Sequence, residues 1–189
     1  MKKGLLRTLA AFFLFAAVSS ASEPRAAGDY RAANRLFADG QYTEALALYR
    51  KTLSAPPDNL TAGDINSKIG DTHFRLADYR NALDAYRRAI RDQNPADRPQ
   101  TQYWIGFCCF LVGRDDEAVI ELLKVPTLYP EAAVWGSTAY YWAGRASERM
   151  GKKEQAAEYY RKAGGNGKST QGKFARKKAE AVKKRESGK

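Results

Sequence analysis

The sequence predicts an all-α fold built as a stack of helical hairpins, and three observations predict it. Apolar residues recur at spacings of three and four through most of the chain, which is the period of one helix face. An alanine returns at Ala45, Ala82, Ala118 and Ala156, at intervals of 37, 36 and 38 residues. Around each of these alanines the same order of small, turn and bulky residues recurs. Units of this size cannot each bury a core alone, so they stack into a continuous one.

Four segments carry the repeat: Tyr30–Pro57, Ser67–Pro95, Tyr103–Pro130 and Tyr141–Gly165. Each opens with a helix holding a small residue, Ala33, Gly70, Gly106 or Gly144. Seven residues on comes a turn, at Gly40, Ala77, Gly113 and Gly151, and five further the anchor alanine. Four residues beyond the anchor sits Tyr49, Tyr86, Leu122 or Tyr160. The small residue lets two helices approach and the bulky one fills the gap between them, so each unit is expected to be helix, tight turn, helix. The expected units run over about 26–59, 63–96, 99–132 and 137–165.

The helix ends follow from local chemistry. Thr61 with Asp64 three residues later has the form of a capping box entering the second unit. Asp97 is expected to cap the third, with Pro99 tolerated in its first turn. Pro126 lacks an N–H and crowds the preceding turn, so its helix is expected to stop or kink there and to alter how the fourth unit stacks. After Gly164 and Gly165, Ser169 or Thr170 can cap a last helix through about Arg185. Its Phe174, Ala175, Ala179, Ala181 and Val182 form a narrow apolar stripe, suited to closing the stack with one wet face.

The small-residue position, the turn, the Ala-x-x-x-Tyr spacing and the closing Pro57, Pro95 and Pro130 resemble tetratricopeptide repeats, over about Ala26 to Gly165. The sequence departs from that family in the extra residues between units, in Ala77 at a turn, and in Val125–Pro126. The resemblance implies a right-handed superhelical α-solenoid of about four such hairpins plus a C-terminal capping helix over 166–189. It also implies a non-catalytic scaffold that holds a protein or peptide ligand in its concave groove. The paired Tyr-Trp of YWIG (103–106) and YWAG (141–144), with LYP (128–130), is similar to periplasmic envelope proteins of this family, such as the Tol-Pal cell-division coordinator. That implies a role in cell-envelope assembly or division. The N-terminal coiled coil of the coordinator has no counterpart, because no heptad stretch lies between Ala21 and the first repeat.

The chain has 189 residues, 44% of them hydrophobic and 12% aromatic, enough for one domain with a real core. Lys2, Lys3 and Arg7, the apolar run from Leu9 to Val18, and the small residues Ser19 to Ala21 have the build of a secretory signal cleaved after Ala21. The run is about half the length a spanning helix needs. Residues 1–21 are therefore expected to direct the protein out of the cytoplasm, into a bacterial periplasm.

The net charge of +11 is unevenly placed. From Ser22 to Met150 there are 16 Lys and Arg against 17 Asp and Glu, whereas from Gly151 onward there are 13 against four. The body is neutral and only the C-terminus is basic. Lys173, Arg176, Lys177, Lys178, Lys183, Lys184 and Arg185 offer an anionic envelope polymer or membrane surface a second place to bind, by charge attraction alone. No base-reading motif accompanies them, and no nucleic-acid partner is expected.

Chemistry-bearing residues are few. Cys108 and Cys109 fall inside the first helix of the third unit, where adjacent residues point about 100° apart. There is no C-x-x-C, no second pair for zinc, and a single histidine, His73. The cysteines are expected to pack as small apolar residues; a redox-active pair would react with a thiol reagent in the native state. His73, beside Phe74, is expected to be a packing residue. Asp115, Asp116 and Glu117 open a helix and complement its dipole. GGNGKST (164–170) lacks the spacing of a phosphate loop and a preceding strand. No catalytic residues, metal or cofactor are expected. The concave face is expected along the first helices, at Tyr30, Asn34 and Phe37; Ser67, Asp71 and Phe74; Tyr103, Phe107 and Phe110; and Tyr141, Arg145 and Glu148. An aromatic groove suits an extended or helical peptide, with Asn34 and Arg145 able to hold its backbone or carboxylate.

Overall fold

The computed structural model describes residues 25–165 and 170–187. The expected signal segment 1–21 lies outside the described residues, as do Ser169 and the middle of GGNGKST. Every regular element among the described residues is helical. The helices are α1 (25–38), α2 (Tyr42–Ser54), α3 (Ala62–Arg75), α4 (Tyr79–Ala89), α5 (Arg98–Leu111), α6 (Asp115–Leu128), α7 (Ala133–Arg149), α8 (Lys153–Gly164) and α9 (Thr170–Ser187). Helices α1/α2, α3/α4, α5/α6 and α7/α8 form four hairpins stacked as a solenoid. α5 meets α7 directly, first helix against first helix, and α9 closes the stack against α8. None of the described helices is long and apolar enough to cross a membrane.

The repeat chemistry appears as packing. A Cβ added at Gly70 would lie 2.6 Å from the Tyr86 ring, one at Gly106 2.6 Å from Leu122 Cγ, and one at Gly144 2.8 Å from the Tyr160 ring. Ala33 and Tyr49 make the equivalent contact region in the first unit, both fully buried. Each turn is left-handed: φ is +78° at Gly40, +82° at Gly113, +76° at Gly151 and +57° at Ala77. Ala77 therefore does the work of the missing glycine, with its Cβ crowding the backbone at a cost of about 1–2 kcal/mol.

The helix ends partly follow expectation. The Thr61 hydroxyl accepts from Asp64 N at 3.0 Å while Asp64 Oδ2 accepts from Thr61 N at 2.9 Å, a complete capping box. Asp97 holds the N-cap position of α5 but makes no side-chain cap. A 3₁₀ turn, Pro95–Asp97, intervenes, and Asn94 Oδ1 caps that turn through Ala96 N at 3.0 Å. Pro126 does not stop α6, which continues to Leu128; only the last turn follows it, so few intrahelical bonds are at stake. Instead α7 starts at Ala133, about a turn before the expected 137, and lays Gly136 over Pro126, 3.6 Å from Pro126 Cβ to an added Cβ. In α9 the stripe is narrower than expected: Ala175, Ala179 and Val182 are buried, whereas Ala181 and Phe174 face out, Phe174 by 52%.

Candidate partner-binding site

The concave face is divided into an open and a closed half, and the division starts with one side chain per unit. In the first, second and fourth units the gap-filling residue is a tyrosine whose hydroxyl donates across the hairpin. Tyr49 donates to Asn34 Oδ1 at 2.7 Å, Tyr86 to Asp71 Oδ1 at 2.8 Å, and Tyr160 to Glu148 Oε2 at 2.7 Å. Asn34 and Asp71 immediately follow the small residue of their helix; in the fourth unit that place holds Arg145, and the acceptor sits one turn on at Glu148. In the third unit the filler is Leu122, which has no hydroxyl, and the place after Gly106 is the apolar Phe107. Three units carry a polar lock and the third unit alone is dry. Burial and the Asp71 charge push the Tyr86 phenol up. Burial likewise raises the Asp71 carboxyl, against the lowering effect of Tyr86 and Lys68.

Around the second unit the face is open. A cavity of about 390 Å³ is walled by Tyr30 from α1, Asp64, Ser67, Lys68 and Asp71 from α3, and Asp97 from the turn before α5. A second, of about 270 Å³, is walled by Phe37, Phe74, Arg75, Tyr86 and Trp104. Asp71 and Gln100 line both, so the two are one groove with a polar end and an aromatic end. Phe74 and Trp104 lie 4.8 Å apart, centroid to centroid, across the unit boundary.

Around the third unit the face is packed shut. Tyr103 and Phe110 are 6% and 8% exposed, so these two expected groove residues belong to the core and offer a partner little surface. The early start of α7 explains Tyr103: it brings Trp135 over the ring at 5.3 Å, with Trp104 at 5.1 Å. Phe107, half-buried, sits 4.5 Å from Trp142 and 5.8 Å from Tyr103. Phe110 lies beneath the Arg149 guanidinium at 4.0 Å. That guanidinium also donates to the Phe110 carbonyl at 2.6 Å and pairs with Asp115. A surface ion pair alone contributes little; here the same cation also covers a ring and satisfies a backbone carbonyl.

The remaining expected residues fall at the edges. Tyr30, Asn34 and Phe37 are half-buried on α1. Tyr141 is 6.1 Å from Phe174 and 5.7 Å from Tyr160, and Arg145 is 5.8 Å from the Trp142 ring. Beside them a cavity of about 260 Å³ is walled by Glu148, Phe174, Lys177 and Val182. In the basic helix Lys173, Arg176, Lys177 and Lys184 are exposed, Lys178 lies 3.4 Å from Glu148, and Arg176 donates to the Gly165 carbonyl at 2.7 Å. The side chains of Lys183 and Arg185 lie outside the described residues. Sequence reading missed Trp104, Gln100, Lys68, Asp64 and Asp97 as groove residues. The signal was present: 100, 104 and 107 share one face of α5 at helical spacing, as do 64, 68, 71 and 75 on α3.

The other chemistry-bearing groups are structural. Cys108 and Cys109 are unpaired and fully buried, and burial holds both thiols up at about 12, well above the range of a reactive thiolate. His73 is buried between two charged groups: Nδ1 is 3.1 Å from Asp78 Oδ2 and Nε2 is 3.4 Å from Arg50. A guanidinium only donates and a carboxylate only accepts, so Nδ1 carries the proton and Nε2 is bare. Burial lowers the pKa of His73; Asp78 opposes the shift and Arg50 adds to it. Asp115, Asp116 and Glu117 are spent on cross-unit pairs with Arg149, Lys152 and Arg87. No group of three His, Cys, Asp or Glu residues placed to hold a metal occurs among the described residues.

Tetratricopeptide repeat models match residues 67–133 and 137–163. No curated protein matches the chain. Among solved structures, MamA is similar at 20% identity and a TM-score of 0.60, over 83% of this chain and 97% of its own. A tetratricopeptide repeat protein from Parabacteroides merdae ATCC 43184 is similar at 15% identity and 0.69, over 85% and 60%. YrrB, described as a tetratricopeptide repeat protein with an unusual peptide-binding site, is similar at 24% and 0.62, over 85% and 80%. At these identities the likeness concerns the fold. With the repeat register, the left-handed turns and the small-on-bulky packing, the matched models place the chain in the tetratricopeptide repeat family.

Proposed function

We propose that this protein is a non-catalytic scaffold that holds a protein or peptide partner in the N-terminal half of its concave face. One observation carries the reading: the polar and aromatic cavities around α3 form a continuous groove through Asp71 and Gln100, while the face around the third unit is filled by its own side chains. A groove walled by several helices and half-buried aromatics suits a peptide in extended or helical form. The peptide-binding site named for YrrB supports the same use of this fold. The N-terminal residues 1–21 support export, so the partner is sought in the bacterial periplasm, and the resemblance to envelope proteins supports a role in envelope assembly or division. A protein recovered from periplasm with Ser22 as its first residue would agree; one beginning at Met1 would retire the cleaved signal.

The reading is tested by a cross-linked pull-down from envelope extract with three baits. They are the intact sequence, Gln100→Trp, and Lys173→Glu with Lys177→Glu. Gln100 is exposed and lines both cavities, so Trp at this position fills the groove without removing any packing. The lysine swaps leave α9 in place, whereas deleting it would uncover Tyr160 and Ala156. A partner lost with Gln100→Trp and kept by the lysine swaps supports the groove. The opposite pattern moves binding to the basic helix and an anionic envelope surface.

A further inference from the structure

Resting on that reading, we infer that the groove takes a cationic partner: a peptide segment presenting Arg or Lys next to an aromatic or aliphatic residue. Charge complementarity selects it. The polar cavity is walled by three carboxylates, Asp64, Asp71 and Asp97, from two elements, against one ammonium, Lys68. Lys68 approaches Asp71 only to 3.8 Å. Asp97 makes no side-chain cap, while Asp64 accepts on both oxygens, from Thr61 N in the capping box and from Asn94 N at 3.4 Å. The polar cavity therefore keeps a net negative charge, and counting Arg75 at the aromatic end still leaves three carboxylates against two cations, which draws in a guanidinium or ammonium and repels a carboxylate.

The aromatic end fixes the neighbouring residue. Phe37, Phe74 and Trp104 wall a cavity contiguous with the acidic one, so a peptide crossing Gln100 with its cation over the carboxylates presents its next side chain to the rings. Trp104 lines this aromatic end and packs against Phe74 across the unit boundary. Its Nε1 is buried without a hydrogen-bond partner. A buried donor left unmet is uncommon in a native protein, and indole N–H can only donate.

Selection of random decapeptides displayed on phage against the full chain tests this, with Gln100→Trp and Asp97→Lys as counter-baits. The expected winners pair Arg or Lys with an aromatic or aliphatic neighbour. Replacing their cation with Gln weakens binding at least about tenfold, and added salt weakens it further. Asp97→Lys costs a similar factor, with its helix content unchanged by circular dichroism. On binding, one of the three indole N–H signals in the ¹H–¹⁵N spectrum moves, and Trp104→Phe removes that signal. Acidic winners blocked by Gln100→Trp would overturn the cationic assignment while keeping the groove. Winners indifferent to Gln100→Trp, or none at all, would overturn both. Concentration-dependent self-association abolished by Gln100→Trp would overturn a separate peptide as the occupant and put the basic α9 of a second copy in its place.

Discussion

The second and third units have the same backbone plan and opposite concave faces. In the second, Gly70 lies against Tyr86, whose hydroxyl is held by Asp71, and the face in front is open. In the third, Gly106 lies against Leu122, Phe107 stands where Asp71 stood, and Trp135, Trp142 and Arg149 cover the face. A polar lock keeps its neighbourhood wet, because a carboxylate demands solvent or a cation. An apolar pair lets adjoining aromatics close over it. One repeat family thus yields a binding surface and a structural joint within the same chain.

The comparison is broken most severely by Tyr86→Ala, which empties the gap over Gly70 and should cost about 3–5 kcal/mol in urea unfolding. A finer break is Tyr86→Phe, which leaves Asp71 short of its donor in a part-buried place and should cost about 1–3 kcal/mol. Moving the third unit's pair into the second, Tyr86→Leu with Asp71→Phe, should cost less than the sum of the two single changes. Additive costs would show that the two positions are not coupled.

The turns sharpen the same contrast. Ala77→Gly relieves a left-handed alanine and should raise stability by up to about 1 kcal/mol, while Gly113→Ala should lower it by a similar amount. Equal effects of one sign would contradict the turn geometry.

The smallest effect is on pH. The folded pKa of His73 is below its unfolded value of 6.5, so the unfolded chain binds the proton first. Stability should therefore fall as pH drops below about 6.5, levelling once the folded form protonates too. It is the only histidine, so His73→Gln should flatten the melting temperature across that window. An unchanged slope would mean that burial does not lower the folded pKa of the ring as described.

The repeat was legible in the sequence because its causes are local. Close helix approach needs Gly70, Gly106 and Gly144, a left-handed turn favours Gly113, and the filler sits at a fixed distance along the same hairpin. The candidate site was legible only in part. Tyr30, Phe37, Asp71 and Phe74 fall on the groove because helical spacing fixes their face. Tyr103 and Phe110 do not, because their burial is decided by Trp135 and Arg149, which lie 32 and 39 residues further along the chain.

By itself, the sequence determined the helices, the turns, the number of hairpins and which face of each first helix looks inward. All of these follow from forces acting within a few residues or across one hairpin. The tertiary structure alone decided where the inward face stays open. That depends on α7 beginning a turn early over Pro126 and on which aromatics meet across unit boundaries. Such contacts are set by the stacking of whole units, and no spacing within any single unit encodes them.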